Sequence, residues 1–259
     1  MPPRRRWISI LALAPILAVA GAGIATAYTP TIIKESFLLP VELNGGFKPT
    51  RLPKKKLAPI HLDFEEKINA AIGSDPPPLR ELVLEIDKNV AFDTKGLAVC
   101  RPRPIDLLVE PRDLCKEARV GKGEMEFEIE FAETLPFALK SHVVAFNGGK
   151  AAGVRTIFAV GYLSNPISAT VVIRIEVTKV DHGRYGSKLV AAIPQVAGGS
   201  AWMKKFRLEL FRRFAYKRKR QSFVKARCLD GKLQVGWKAA LADGTVSDGS
   251  FKRPCTPQP

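Results

Sequence analysis

The sequence predicts an all-β fold, an antiparallel β-sandwich or barrel-like domain with at most one or two short helices. Apolar and polar residues alternate with period two in several stretches, turn dipeptides recur between those stretches, and only two segments offer a helical alternative. The clearest strand is 124–131, where Met125, Phe127, Ile129 and Phe131 alternate with Glu124, Glu126, Glu128 and Glu130. Such alternation sends four apolar side chains to one face and four carboxylates to water. Val171, Ile173, Ile175 and Val177 alternate similarly with Arg174, Glu176 and Thr178, and Trp202, Phe206, Leu208 and Leu210 are set against Lys205, Arg207 and Glu209.

Further strands are expected at 79–87, 139–147, 154–163, 184–193, 222–229, 233–241 and 245–252. Turn signals separate them at Asn147-Gly148-Gly149, Asn165-Pro166, Asp181-His182-Gly183, Gly198-Gly199, Asp230-Gly231 and Asp243-Gly244. Val120-Gly121-Lys122-Gly123 reads as a tight turn before the glutamate-striped strand, because it lacks the spacing and the Lys-Ser/Thr ending of a phosphate loop. The two helical candidates are 110–118 and 63–72. Residues 28–58, rich in Pro, Gly and Lys, read as an extended arm or lead-in strand with Pro53-Lys54-Lys55-Lys56 exposed. The remainder, 59–259, reads as a single β-rich domain.

The first 27 residues have the form of a signal peptide. Arg4, Arg5 and Arg6 precede an uncharged apolar run from position 7 to 20, and Ala25-Thr26-Ala27 presents a small-residue cleavage site before Tyr28. The run is short for a stable membrane span, which takes about 20 apolar residues. An uncleaved N-terminal anchor is the alternative, and either the general secretory or a twin-arginine route fits the arginines. Both readings make the protein exported, extracellular or envelope-associated.

An exported chain with four cysteines favours disulfides. Three connectivities are open to Cys100, Cys115, Cys228 and Cys255, and nearness in sequence favours Cys100–Cys115 and Cys228–Cys255. No C-x-x-C and no neighbouring histidine supports a metal site, and no cofactor is expected.

Charge is concentrated. Removing Arg4, Arg5 and Arg6 with the leader leaves 38 Lys and Arg against 25 Asp and Glu, a net +13. Residues 204–227 alone carry +10, with eleven Lys and Arg opposed only by Glu209. The candidate anion-binding residues are Lys204, Lys205, Arg207, Arg212, Arg213, Lys217, Arg218, Lys219 and Arg220, read as two strands joined at a 217–220 tip. Phe211, Phe214, Tyr216 and Phe223 are interleaved. Such a surface attracts anionic polymers or acidic lipid headgroups. Basic charge with aromatics also suits single-stranded nucleic acid, but an exported protein rarely meets it. The competing explanations are edge protection and pairing with the 124–130 glutamates if the strands are neighbours.

No catalytic residue is assigned. His61, His142 and His182 form no H-E-x-x-H, and no G-x-S-x-G is present. Glu124 and Glu126, about 7 Å apart on a strand face, satisfy the carboxylate spacing of a glycosidase, but any solvated acidic strand does the same. Asp181-His182 sits in an expected turn, and Asp243-Gly244 and Asp248-Gly249 match no calcium-loop spacing.

The stretch 79–88 (LRELVLEIDK), Asp93-Thr94-Lys95-Gly96-Leu97 with Val99-Cys100, Cys115 with Val120-Gly121-Lys122-Gly123, Ala145-Phe146-Asn147-Gly148, and the closing Cys228 and Cys255 resemble a group of exported β-rich proteins of soil actinobacteria. The likeness spans roughly 79–255 and includes the basic segment Tyr216-Lys217-Arg218-Lys219-Arg220. It implies the same disulfide pairing and an all-β fold, and it supplies no catalytic residue. The expected role is therefore non-enzymatic, binding an anionic cell-wall polymer or an acidic lipid surface. The alternatives are an enzyme acting on envelope glycan or lipid and a purely structural β-domain.

Overall fold

The computed structural model describes residues 41–69, 76–102, 111, 114–131, 135–163 and 168–259. The leader and its cleavage residues Ala25, Ala27 and Tyr28, the arm up to residue 40, and the Asn165-Pro166 turn lie outside the described residues. The strands are β1 (Val41–Lys48), β2 (Arg51–Pro53), β3 (Ala58–Pro59), β4 (His61–Ile68), β5 (Leu79–Asp87), β6 (Val90–Phe92), β7 (Arg119–Ile129), β8 (Phe137–Ala151) and β9 (Val154–Leu163). They continue with β10 (Ala169–His182), β11 (Tyr185–Ala192), β12 (Ala201–Leu210), β13 (Arg213–Tyr216), β14 (Lys219–Ser222), β15 (Val224–Ala226), β16 (Lys232–Leu241), β17 (Val246–Pro254) and β18 (Thr256–Gln258).

Eleven strands form one antiparallel sheet in the order β1-β4-β12-β7-β8-β9-β10-β11-β5-β16-β17. The sheet curls until its two edges meet. Arg253 of β17 donates through Nε to the Gly45 carbonyl of β1 (2.5 Å) and through Nη2 to Asn44 Oδ1. The result is a barrel-like shell closed along one seam by side chains, with no main-chain ladder between β1 and β17 among the described residues. Alternation fills the interior: Met125, Phe127 and Ile129 from β7, Val171, Ile173, Ile175 and Val177 from β10, and Phe206, Leu208 and Leu210 from β12 are all buried.

A three-stranded sheet, β3-β15-β6, covers the end where β4 begins, β5 ends and β16 begins. Its Val90, Phe92, Val224 and Ala226 belong to the same core as the barrel interior. β18 pairs with β2 in parallel, and Cys228 lies at disulfide distance from Cys255 (Cα–Cα 6.0 Å), tying this cap to the C-terminal strands. Cys100 and Cys115 form the second pair (Cα–Cα 5.5 Å). It sits on the outside of the sheet, where Val144, Phe146 and Val160 point away from the barrel and pack against Cys100 and Ala118.

Several sequence expectations are corrected. Residues 63–68 are not helical but belong to β4, whose inward row Leu62, Phe64, Glu66, Ile68 hides its period behind a buried glutamate. Of the other helical candidate, 110–118, the described part holds a 3-10 turn at Lys116–Ala118 and no α-helix. Of residues 28–58, read as an extended arm or lead-in strand, 41–48 take the second form as β1 and pair along their whole length with β4. Gly121 and Gly123 are not a turn. They lie in β7 because β12 crosses so close that an added Cβ would fall 2.0 Å from the carbonyl oxygens of Glu209 and Arg207. Asn147-Gly148-Gly149 is a bulge inside β8, with Gly149 at φ 89°, and the actual turn comes later at Ala152-Gly153.

Candidate anion-binding surface

The basic segment divides at Phe211. Up to Leu210 it is β12, a wall strand between β4 and β7. Its outward residues meet the acidic rows of both neighbours. Lys204 Nζ lies 2.7 Å from Glu128, and Lys205 Nζ lies 3.2 Å from Glu65, which also takes Lys67 at 3.1 Å. Arg207 pairs with Glu209 on its own strand at 2.9 Å. The hydrogen bond that Lys204 donates to Glu128 holds its ammonium above the usual range. Partial burial pushes the Glu65 carboxyl upward, but the bonds from Lys67 and Lys205 outweigh it and hold that carboxyl below the usual carboxylate range.

Beyond Arg212, which reaches Glu117 at 3.3 Å, the chain leaves the sheet as the hairpin β13–β14. Tyr216 pairs with Lys219 across a two-residue turn, so Lys217 and Arg218 occupy the tip while Lys219 and Arg220 stand on the returning strand. Both tip residues have left-handed backbones, φ 49° and 60°. This is the twist a two-residue hairpin requires, and Asn-Gly normally supplies it. Residues with a Cβ adopt it at a cost of roughly 1–2 kcal/mol each. Among the described residues, Arg213, Lys217, Arg218, Lys219 and Arg220 are exposed and none has a carboxylate within ion-pair distance.

The inner side of the hairpin is anchored. Tyr216 covers Gly96, whose φ of 82° and missing side chain make room for the ring. Lys225 of β15 bridges Gln221 Oε1 (2.5 Å) and Asp93 Oδ2 (2.8 Å), fixing the hairpin base to the loop at 93–96. Partial burial raises the Asp93 carboxyl, but the hydrogen bond from Lys225 and the Lys95 amide bring it below the usual range.

Sequence reasoning missed a contribution from Lys54, Lys55 and Lys56. They are exposed in the segment leading into β3, and β3 pairs with β15, the strand that continues from the hairpin. The Lys-Lys-Lys run was the available signal, but nothing local announced which sheet it would join. Exposed Leu57 (45%) lies in that segment leading into β3, and Phe211 (38%) in the link from β12 to the hairpin, where its ring packs on His61.

The other candidates do not converge. Glu124 and Glu126 face outward beside Lys140, His142 and Lys205 in a shallow surface notch, and Glu126 pairs with Lys140 at 3.4 Å. His182 ends β10 and contacts Glu85 of β5 at 3.0 Å. Asp243 closes its own turn by accepting from the amide and hydroxyl of Thr245. Among the described residues, no three His, Cys, Asp or Glu side chains are grouped to hold a metal ion, and no helix is long and apolar enough to cross a membrane. The paired cysteines indicate an oxidising environment. Comparisons with protein-family models, curated proteins and solved structures found no match to this chain.

Proposed function

We propose that this protein is exported through its 27-residue leader and acts without catalysis, docking on an acidic lipid surface of the cell envelope through the β13–β14 hairpin. The observation that carries the reading is the set of five hairpin cations without a carboxylate partner among the described residues, two of them at tip positions whose left-handed backbone disfavours any residue with a Cβ. Strain of that kind persists where the surrounding structure fixes it and is concentrated at functional positions. Lys54, Lys55 and Lys56 extend the basic surface across the cap. Leu57 and Phe211 add apolar side chains able to enter the headgroup region. The Arg4–Arg6 leader with its Ala25-Thr26-Ala27 site, together with the disulfides, supports export.

Each Lys or Arg near an anionic membrane is worth about 1 kcal/mol. Changing Lys217, Arg218, Lys219 and Arg220 to Gln together is therefore expected to weaken binding to phosphatidylglycerol vesicles by roughly a thousandfold. Cosedimentation at about 0.15 M salt, where screening is already strong, reads this directly. Equal binding by the variant and the parent removes the hairpin from the function. Binding to purified cell wall but not to vesicles assigns the hairpin to the polymer instead.

A further inference from the structure

A second site lies inside the barrel, on the opposite side of the cap from solvent. Leu62, Phe64, Leu84 and Val235 point inward from β4, β5 and β16, yet each is only half-buried. The reason is a cavity of about 90 Å³ against them. Phe206 and Leu189 close its far wall. An apolar wall facing an unfilled space lacks contact partners, which is costly in a close-packed interior. The charged side chain on the lining that shares the inward parity of its strand is Arg253 of β17, beside the bare backbone of Gly45 and Gly46 at the seam.

Arg253 is the unusual one. Its guanidinium stacks on Phe251, 4.9 Å from the ring centroid, and donates to three neutral acceptors: the Gly45 carbonyl, Asn44 Oδ1 and the Lys252 carbonyl at 3.2 Å. Among the described residues no carboxylate lies within ion-pair distance of it; the nearby Asp63 belongs to the outward row of β4. The guanidinium fork matches a carboxylate geometrically and binds it about twice as strongly as neutral acceptors. Among the described residues the seam it bridges has no main-chain ladder to break.

We propose that this cavity takes the alkyl chain of a single-chain carboxylate amphiphile entering at the β1–β17 seam, with Arg253 binding the head. The volume sets the class. An apolar cavity of about 150 Å³ holds one six-carbon ring, so about 90 Å³ takes only the last few carbons of one slim chain, the rest lying in the seam, and excludes a two-chain lipid. The wall offers nothing to a polar ligand.

The probe is octanoate, with octanol as the uncharged control, titrated calorimetrically into the full folded chain. The parent is expected to bind octanoate saturably and several-fold more tightly than octanol. Arg253→Gln should remove that preference by weakening octanoate at least fivefold and leaving octanol unchanged. Val235→Phe fills the cavity and should abolish both. Affinity should rise roughly fourfold per added methylene along a carboxylate series and stop rising once the chain fills the space. The absence of saturable octanoate binding at millimolar concentration overturns the site. Unchanged octanoate binding by Val235→Phe with cooperative unfolding retained does so too. Equal octanoate binding by Arg253→Gln and the parent overturns the carboxylate assignment; because Arg253 also bridges the seam, this comparison requires the variant to unfold cooperatively like the parent, and its octanol binding keeps the site testable should Val235→Phe fail to fold. None of these residues is in the hairpin, so failure here leaves the vesicle experiment intact.

Discussion

The two halves of the basic segment have similar sequences and opposite surroundings. In β12, Lys204, Lys205 and Arg207 each lie against a carboxylate. In β13–β14, Arg213, Lys217, Arg218, Lys219 and Arg220 have none among the described residues. Topology makes the difference. β12 runs between β7 and β4, whose outward rows carry Glu124, Glu126, Glu128, Asp63 and Glu65, whereas the hairpin has left the sheet. Charge density along a chain thus indicates a ligand surface only after the strand neighbours are known. The same residue types are wall chemistry in one half and an uncompensated field in the other.

The largest effect expected from this contrast is on vesicle binding. The hairpin variant with four Gln loses roughly a thousandfold, whereas Gln at both Lys204 and Lys205 changes binding less than about twofold, because those charges are already neutralised locally. Binding curves against lipid concentration measure both. Equal losses would mean that net charge, not placement, governs docking.

A comparable effect on stability is expected one position away from the wall ion pairs. Glu65 faces outward to its lysines, and Glu66, the next residue, is fully buried with neither oxygen hydrogen-bonded. Burial raises its carboxyl to about 8 from an ordinary 4.5. The folded state therefore keeps a proton that the unfolded chain releases. Its contribution to stability is fully present below about pH 4.5 and is lost as pH rises through about 8. Glu66→Gln should remove that slope, leaving the variant more stable than the parent by on the order of 5 kcal/mol at high pH and nearly equal to it in acid. Urea unfolding on both sides of the interval tests this, and parallel pH profiles would show that Glu66 is ionised in the fold.

The disulfides sharpen the contrast between cap and wall. Cys228 and Cys255 are 27 residues apart, and removing the bond is expected to cost about 3.5 kcal/mol. Because the hairpin continues into β15 of the cap, Cys228→Ser with Cys255→Ser should weaken vesicle binding as well. Cys100 and Cys115, 15 apart on the outside of β8 to β10, should cost about 3 kcal/mol and leave vesicle binding unchanged. Thermal unfolding and cosedimentation of the two double variants separate the cases.

What the sequence disclosed follows from how local each signal is. Strands 79–87 and 154–163 match β5 and β9 to the residue, because each is a run rich in strand-forming residues with its own local boundaries. The disulfide pairs were legible from nearness alone. β4 was not, since Glu66 occupies an inward position that only a hydrophobic residue would have advertised. Gly121 and Gly123 looked like a turn because their real cause, the approach of β12 from some 85 residues away, leaves no local mark. The hairpin tip was visible, but its separation from β12 was not, because strand order β4-β12-β7 joins three distant segments. The cavity is a matter of missing volume, which no residue pattern encodes.

The smallest expected effect tests the wall half itself. Lys205→Gln breaks one of the two bonds to Glu65, at a site about one third exposed, where such pairs contribute about 0.5 kcal/mol after screening. The loss should shrink in high salt. It should also depend on pH with a definite sign. Glu65 is held below its ordinary value, so its contribution is present above about 4.5 and fades as pH falls through the lower folded value. Chemical denaturation of parent and variant at neutral and acid pH should therefore show a gap at neutrality that closes in acid. A gap that persists in acid would mean that Lys205 supports β12 by packing its aliphatic stem against the wall. In that case the difference between the two halves of the basic segment would lie in burial as well as in charge.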